Sequence, residues 1–227
     1  MKTKTDAVHG GFSSPGKMPG LAWSISAKHC AVGSALRRLA REKGIPTPCG
    51  SCYALKGRYV FPGTVAAHAR RLAAYTASPE GWAAGVVAGI REVSASRGPK
   101  KSAAAKHFRW FDAGDLQSVE MLAQIVAIAR AVPDTSFWLP TQESGMVAAW
   151  LRDNPAGFPP NLCVRASDSR LDRPGQPVPA GVTRSRVGSA TDTEGGYQCP
   201  APSQGNTCGD CRACWDGDTP LTRYAAH

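Results

Sequence analysis

The second half of the sequence repeats one arrangement, an apolar strand followed by a polar loop and, in most units, a helix. Strands are predicted at 21–26, 107–111, 136–139, 161–165 and 182–187, and later helices at 118–131 and 145–153. This order is typical of parallel βα units. The sequence therefore predicts an α/β protein, a partial (β/α) barrel with mainly parallel strands.

Composition along the chain divides it into three parts. Residues 1–20 contain several Gly and Pro residues and are predicted to form a flexible N-terminal arm. Residues 21–190 hold the predicted strands, with helices also expected near 34–43, 64–76 and 80–96, and form the barrel domain. Residues 191–227 form a cysteine-rich, loop-dominated tail packed on the same domain. Bound metal would supply the folding free energy that this tail lacks.

Seven of the eight cysteines fall into two groups. The three-cysteine group comprises Cys30, Cys49 and Cys52, and the four-cysteine group comprises Cys199, Cys208, Cys211 and Cys214. Four thiolates complete the ligand set of a zinc ion or an iron–sulfur cluster, whereas three leave one position open for chemistry. The division predicts one or two metal or cluster sites, the first of them open.

The identity of the metal stays open at this point. The C-x2-C-x2-C run that ends the four-cysteine group is closer to ferredoxin spacing, which favours a [4Fe–4S] cluster, with zinc as the alternative. In the three-cysteine group, Cys49 and Cys52 form a C-x2-C pair, whereas Cys30 lies 19 positions earlier. Cys30 is either the third ligand or a core thiol, in which case His29 replaces it. Cys163 lies within a predicted strand and is expected to be a buried free cysteine.

Polar side chains follow four of the predicted strands. They are Lys28-His29-Cys30, Asp112 with Asp115, Thr141-Gln142-Glu143, and Ser167-Asp168-Ser169. The carboxyl ends of parallel strands meet at one edge of a sheet, where ligands bind. We therefore predict catalytic roles for Asp112, Asp115, Gln142 and Glu143, and cofactor contacts for Asp112, Asp115, Arg109 and Arg165. Asp115 also fits the cap of the helix that follows, and the two arginines fit ion pairs with acids.

The formal net charge is +10, which predicts a polyanionic partner, nucleic acid or nucleotide. A well-solvated basic surface is the simpler alternative. The polar N-terminus lacks the apolar region of a signal peptide, and no apolar run is long enough to span a bilayer. We expect a cytoplasmic protein without a membrane partner, in which cysteines bind metal.

Several motifs together resemble the phage gene product 88 family. They are Lys17-Met-Pro-Gly-Leu-Ala-Trp-Ser24, Cys49-Gly-Ser-Cys-Tyr-Ala-Leu-Lys-Gly-Arg-Tyr59, Phe108-Arg-Trp-Phe-Asp-Ala-Gly-Asp-Leu-Gln117, Phe137-Trp-Leu-Pro-Thr-Gln-Glu143 and Cys208-Gly-Asp-Cys-Arg-Ala-Cys-Trp215. The resemblance covers nearly the whole chain. It implies a phage or prophage origin, and hence the host cytoplasm, more than it implies a reaction.

The chain is also distantly similar to radical S-adenosylmethionine enzymes. Those enzymes have a partial (β/α) barrel, three cluster cysteines after the first strand and a motif after the second strand that holds the amino group of the cofactor. The resemblance assigns these roles to the three-cysteine group and to Asp112-Ala-Gly-Asp115. The gap between Cys30 and Cys49 is longer than in those enzymes, and Ser51 stands where they have an aromatic residue.

Three functions are compatible with these features. The first is an enzyme that uses an open-site [4Fe–4S] cluster, with S-adenosylmethionine and an external electron donor, to modify a nucleobase or nucleotide. The second is a zinc-stapled nucleic-acid-binding protein without catalysis. The third is a non-redox iron–sulfur enzyme, for example one that thiolates a base.

Overall fold

Seven strands, all parallel, form one open sheet in the part of the chain that the structure describes. This computed structural model describes residues 2–173, 175, 177–188 and 195–225. The strands are β1 Leu21–Trp23, β2 His107–Trp110, β3 Ser136–Thr141, β4 Leu162–Ser167, β5 Thr183–Gly188, β6 Tyr197–Gln198 and β7 Leu221–Ala225. Their order across the sheet is β1-β2-β3-β4-β5-β7-β6. The predicted α/β class with parallel strands is confirmed.

One short helix precedes β1, and the other helices lie in the connections between the first four strands. They are α1 Asp6–His9, α2 Ala31–Lys43, α3 Pro62–Ala77, α4 Pro79–Ser94, α5 Pro99–Ala104, α6 Val119–Ala131 and α7 Ser144–Asp153. Proline at the first position of α3, α4 and α5 suits a helix start, because that N–H has no partner within the helix. Ser78 and Ser118 cap α4 and α6 by accepting hydrogen bonds from Gly81 N and Met121 N.

One face of the sheet carries large apolar side chains that pack against the helices. Phe108 and Trp110 of β2 lie beside Phe137 of β3, and Trp82 of α4 packs on Trp110 with ring centroids 5.7 Å apart. Each fully buried side chain of this size contributes about 1.5–3 kcal/mol. The buried positions of α4 recur at helical spacing, which explains why this helix was predictable: Trp82, Val86, Ile90 and Val93.

The opposite face carries the residues that alternate with these. Arg109 of β2 lies beside Trp138 of β3, and Arg165 lies on the same face two residues beyond Cys163, the partner of Trp138 on β4. The segment that contains Cys214 and Trp215 covers Trp138 and Arg165. The four-cysteine group therefore packs on this face of the sheet. The predicted boundary between residues 190 and 191 lies outside the described residues.

Some elements differ from the sequence prediction. Strand β1 ends at Trp23, because Ile25 N bonds to Ala113 O and the chain turns towards the end of β2. Helix α5 and strands β6 and β7 have no counterpart in the prediction. Strand β7 lies between β5 and β6, and its Thr222 is completely buried, so the predicted tail completes the sheet.

The N-terminal segment, predicted as a flexible arm, packs against the core from Thr3 onwards. Phe12 and His9 are buried, and their rings stack with centroids 4.1 Å apart. Arg71 of α3 donates through Nε to Gly11 O at 2.7 Å. Gly10 has a φ of +81°, and a Cβ there would lie 2.5 Å from the Arg71 Cα. Glycine in this segment thus allows a close backbone contact rather than flexibility.

The buried His9 makes stability depend on pH. Burial lowers the pKa of His9 from 6.5 to about 4, with Asp6 opposing and Arg71 adding to this shift. In the unfolded chain the His9 imidazole binds a proton near pH 6.5, whereas in the folded chain it stays neutral until about pH 4. The free energy of unfolding therefore falls as the pH drops from 6.5 towards 4. The loss attributable to His9 is on the order of 3 kcal/mol.

Urea unfolding between pH 7 and pH 4 measures this dependence. Wild type should lose more stability over that interval than His9→Gln, because glutamine does not titrate. Parallel pH profiles for the two proteins would contradict the assignment.

Candidate functional site

The three-cysteine group lies at the carboxyl end of β1. A short turn, Ala27–His29, leads from this strand to Cys30 at the start of α2, and Cys49 and Cys52 lie in the loop before α3. The Cys49 Sγ and Cys30 Sγ are 3.5 Å and 3.8 Å from the position that a Cβ on Gly33 would occupy. Both thiols therefore lie against the first turn of α2, which Gly33 leaves open.

Cys52 packs in the same small cluster as Cys30. His29, the alternative third ligand, is exposed, and its carbonyl accepts a hydrogen bond from Gln117 Nε2 at 3.3 Å. The arrangement favours Cys30 over His29 as the partner of the C-x2-C pair.

Burial favours the protonated form of two thiols of this group, those of Cys30 and Cys49. It raises the pKa of Cys30 to about 12, with the charges of Asp115, Cys49 and Cys52 adding to the effect. The pKa of Cys49 also rises to about 12, first by burial and then by the charge of Cys52. The guanidinium of Arg37 acts in the opposite direction on both. Thiols in such surroundings become thiolates when a cation lies beside them.

Four strand ends converge beside the three cysteines. Thr141 Oγ1 at the end of β3 and Gln142 N directly after it donate to the Asp115 carboxylate after β2 at 2.6 Å and 2.8 Å. Gln142 Nε2 reaches Asp168 O after β4 at 3.3 Å. The Glu143 carboxylate accepts from Val32 N of α2 at 2.9 Å. The predicted meeting of these loops at one edge is therefore present as direct hydrogen bonds.

Asp115 and Glu143 are buried and hydrogen-bonded to the protein. Asp115 also accepts from Leu116 N at 2.8 Å, so both of its oxygens have donors. Burial raises the pKa of Asp115 to about 7, although these hydrogen bonds pull it down. Asp115 is therefore not the cap of α6, a role that Ser118 takes. Glu143 binds the first turn of α2, where a negative charge is favourable.

Asp112 occupies a more accessible position at the end of β2. Its carboxylate accepts hydrogen bonds from the hydroxyl of the buried Ser24 and, at 3.3 Å, from Tyr59 OH, while its carbonyl accepts from Tyr53 OH at 2.7 Å. Phe111 precedes it with a φ of +53°, in the left-handed region. For a residue other than glycine this conformation costs about 1–3 kcal/mol, and such strain clusters at functional sites. It turns the chain so that Asp112 lies near Tyr53, which follows Cys52.

The four-cysteine group is fixed to strand β7 and to the segment that precedes β1. Cys199 N donates to Arg223 O at 2.9 Å, and Cys208 N donates to Lys17 O at 2.8 Å. Hydroxyls contact two of its sulfurs, Tyr197 at Cys211 Sγ (3.3 Å) and Tyr224 at Cys214 Sγ (3.1 Å). Burial raises the pKa of Cys214 to about 11.

Arg165, predicted to contact a cofactor, instead holds this segment on the sheet. It is completely buried, and its Nε, Nη1 and Nη2 donate to five backbone carbonyls at 2.6–3.2 Å. The acceptors are the carbonyls of Ala213, Cys214, Asp216, Thr219 and Arg184. A guanidinium has five N–H donors, so none remains for an anionic ligand.

Arg109 lies between the two cysteine groups. Its guanidinium is 4.3 Å from the Trp138 ring centroid and donates to Met18 Sδ at 3.2 Å and to Tyr53 OH at 3.4 Å. Burial raises the pKa of Cys208 and Cys214, and the charge of Arg109 opposes this rise at both thiols. The Nε of Arg109 is buried and has no hydrogen-bond partner in the part of the chain that the structure describes.

The family model described as gene product 88 matches residues 19–217. The chain belongs to the gene product 88 family. This agrees with the resemblance drawn from the sequence motifs to that phage family. Comparison with curated proteins gives no match, and comparison with solved structures gives none either.

Among the residues that the structure describes, no group of three or more His, Cys, Asp or Glu side chains is arranged to hold a metal ion. Within the same residues, no helix is long and apolar enough to cross a membrane.

Sequence reasoning missed the residues that surround Asp112. Ser24 and Tyr59 bond to its carboxylate, and Arg37 lies close enough to Cys30 and Cys49 to change their pKa values. Of these residues, only Arg37 could have been found from the sequence, because it lies one helical turn after Gly33 in α2.

Cys163 is buried in β4 with its Sγ 3.6 Å from Thr183 Oγ1, apart from both cysteine groups.

The two aspartates should differ in their effect on stability. At pH 8, Asp115→Asn places an amide N–H₂ against hydrogen-bond donors and should lower the free energy of unfolding by about 1–3 kcal/mol. Asp112→Asn should cost less, because water can reach that side chain. Urea unfolding at pH 8 compares them, and equal losses would contradict the structural role of Asp115.

Replacing Arg165 should detach the four-cysteine group. Arg165→Met leaves five carbonyls without their donor, and we expect a loss of about 3 kcal/mol or more. Urea unfolding measures the loss, and trypsin should cleave within residues 199–220 faster than in wild type. Arg152→Met, at an exposed arginine of α7, serves as the matched control. Equal stability of the two variants would show that the anchor is unimportant.

Proposed function

We propose that this gene product 88 protein is an iron–sulfur enzyme that modifies a nucleobase or nucleotide at the three-cysteine group. One observation carries the proposal: three thiols lie at the strand edge where carboxylate, amide and hydroxyl groups converge. Ligand sites of parallel α/β proteins lie at this edge. A set of three thiolates leaves one metal position open.

The donor set fits a [4Fe–4S] cluster by its chemistry. Cys30, Cys49 and Cys52 would hold it, since all three belong to one electrostatically coupled group of thiols beside α2. Such a cluster supplies one-electron chemistry when reduced and a Lewis-acidic iron when it is not. The described sulfurs do not already form a metal-binding arrangement, so loading would require them to move closer together.

Asp112 is the best candidate to act on a ligand of that site. Its carboxylate is half-buried and held by Ser24 and Tyr59, so it has a set orientation and an accessible edge. There it would hold the ammonium group of S-adenosylmethionine or accept a proton from a substrate. Asp115, Gln142 and Glu143 would act as positioning residues, because their hydrogen bonds join the strand ends and α2.

The four-cysteine group would bind a second cluster or a zinc ion that stabilises the covering segment. The hydrogen bonds of Arg165 support a structural role for the four-cysteine group, since they hold the backbone of this segment on the sheet. A second cluster here would receive electrons from an external donor. Arg109 would then lie between two redox centres.

A zinc-stapled nucleic-acid-binding protein without catalysis is the second candidate. It is favoured by the buried carboxylates, because the hydrogen bonds of Asp115 and Glu143 are sufficient to explain both residues as structural. This candidate predicts zinc and a colourless protein after purification in air.

Metal analysis of protein purified without oxygen tests the proposal. Wild type should contain iron and acid-labile sulfide. Cys49→Ser and Cys211→Ser should each lose about half of the iron if two clusters are bound. Cys163→Ala is the matched control, since this cysteine lies in β4 outside both groups, and it should keep the full content.

Other results would decide against the proposal. Reconstituted wild type without iron and sulfide would exclude an iron–sulfur enzyme, and stoichiometric zinc in its place would favour the second candidate. If iron is present, incubation of reduced protein with S-adenosylmethionine separates two mechanisms. Cleavage of the sulfonium supports a redox enzyme, whereas intact S-adenosylmethionine supports a non-redox iron–sulfur enzyme.

A further inference from the structure

A groove of about 480 Å³ lies beside the three-cysteine group and opens to solvent. Helix α2 and the loop that carries Cys49 form it, and we call it the arginine groove. The residues of α2 that line it stand at positions i, i+3, i+4 and i+7, which share one side of a helix. The complete lining is Ser34, Arg37, Arg38, Arg41 and Gly50.

The positive charge of this groove is little offset by the chain around it. Arg38 is exposed and forms no ion pair within the described residues. Arg41 lies 3.3 Å from the Glu42 carboxylate, but both side chains are exposed and water screens the pair. Glu42 is also the only acidic residue in the sequence between Asp6 and Glu80. The groove therefore attracts anions.

The carboxylates of the strand-end loops reach α2 in a different place. Glu143 accepts a hydrogen bond from Val32 N in the first turn at 2.9 Å, five residues before Arg37. Five residues of a helix span about 7.5 Å along its axis. Negative groups thus contact the start of α2, and the guanidinium groups follow from its middle onwards. The groove itself is suited to an anionic group rather than to a cation.

Arg37 links the groove to the thiols. Its Nη2 donates to Ser34 Oγ at 2.7 Å, and this hydrogen bond orients the guanidinium. The charge of Arg37 opposes the rise in pKa that burial gives Cys30 and Cys49. One of the three guanidinium groups therefore acts on the thiols as well as on the groove.

The loop that carries Cys49 runs close against α2. Gly50 follows Cys49 directly, and a Cβ on Gly50 would lie 2.9 Å from the Ala40 Cβ of the helix. Ala40 lies in the turn that carries Arg38 and Arg41. Glycine at this position thus allows the close approach that joins the groove to the candidate active site.

We propose that the arginine groove holds the phosphate groups of a nucleotide substrate whose base extends towards the three-cysteine group. A guanidinium donates two parallel hydrogen bonds to phosphate oxygens, and three on one side of a helix suit a ligand with several negative charges. The assignment rests on the proposed function for the identity of the ligand as a nucleotide. It adds that the substrate must carry phosphate, either as a free nucleoside triphosphate or within a strand.

Isothermal titration calorimetry in buffer without divalent cations tests the groove with inorganic pyrophosphate, thymidine triphosphate and thymidine. The two phosphate compounds should bind, and thymidine should bind at least about tenfold more weakly than its triphosphate. Arg38→Gln/Arg41→Gln removes two exposed guanidinium groups and should weaken phosphate binding about tenfold or more. Arg38→Lys/Arg41→Lys keeps the charge but loses the paired donors, so its affinity should lie between the two.

A second double variant is the matched control. Arg130→Gln/Arg152→Gln removes the same charge from the last turns of α6 and α7, which lie at the amino-terminal edge of the sheet. It should bind as wild type does. Equal weakening of both glutamine variants would overturn the proposal, since it would show a general effect of net charge. Equal affinity of wild type for thymidine and its triphosphate would also overturn it.

Oligothymidylate identifies the source of the phosphate. If the groove takes a strand, the oligonucleotide should bind more tightly than thymidine triphosphate. Loss of two contacts in Arg38→Gln/Arg41→Gln should then lower the slope of log affinity against log salt by about 1.4, since each single-strand contact contributes about 0.7. If the groove takes a free nucleotide, the triphosphate should bind more tightly than the oligonucleotide.

The same preparations separate the groove from the proposed chemistry. Binding is measured on aliquots whose iron content is known, with iron-free protein among them. Loss of pyrophosphate binding in iron-free Arg38→Gln/Arg41→Gln, but not in the control variant, supports the groove even if no cluster forms. Iron-loaded wild type that binds no phosphate compound would overturn the groove and leave the cluster proposal standing.

Discussion

The buried carboxylate of Asp115 joins the elements on which the candidate site depends. Parallel strands bring their carboxyl ends to one edge, but pairing alone does not set the loops that follow. Asp115 accepts hydrogen bonds from the hydroxyl of Thr141 at the end of β3 and from the backbone N–H of Gln142, and Glu143 in the same loop binds the first turn of α2. The position of Cys30 is therefore linked to the end of β2 through the two buried carboxylates of Asp115 and Glu143.

The two faces of the sheet are covered in different ways. Apolar helices cover one face, where Phe108, Trp110 and Phe137 pack. The other face carries Arg109 and Arg165, and the four-cysteine segment covers it through hydrogen bonds from Arg165 to the backbone. The guanidinium of Arg165 is stable in this buried position because each of its donors has a carbonyl acceptor. This covering places the second cysteine group across Arg109 from the first.

Much of the fold could be predicted, because its helices and central strands follow simple periodicity. The alternation of β2 and the spacing of Trp82, Val86 and Ile90 in α4 are local signals. The packed N-terminal segment and β7 were not predictable in this way. Gly10 reads as a flexible position, although its contact with Arg71 depends on a helix about 60 residues later. Leu221–Ala225 is short and polar, and it becomes a strand only between β5 and β6.

The sequence by itself determined the family, the parallel α/β class and the residue types that meet at the strand ends. These depend on motifs and on hydrophobic periodicity, which are properties of neighbouring residues. Only the tertiary structure decided the roles of individual side chains. It assigned Arg165 to backbone carbonyls, Asp115 to the loop after β3, and Arg37 to a groove beside the thiols. Such roles depend on which donors and acceptors burial brings together, and those partners lie far apart along the chain.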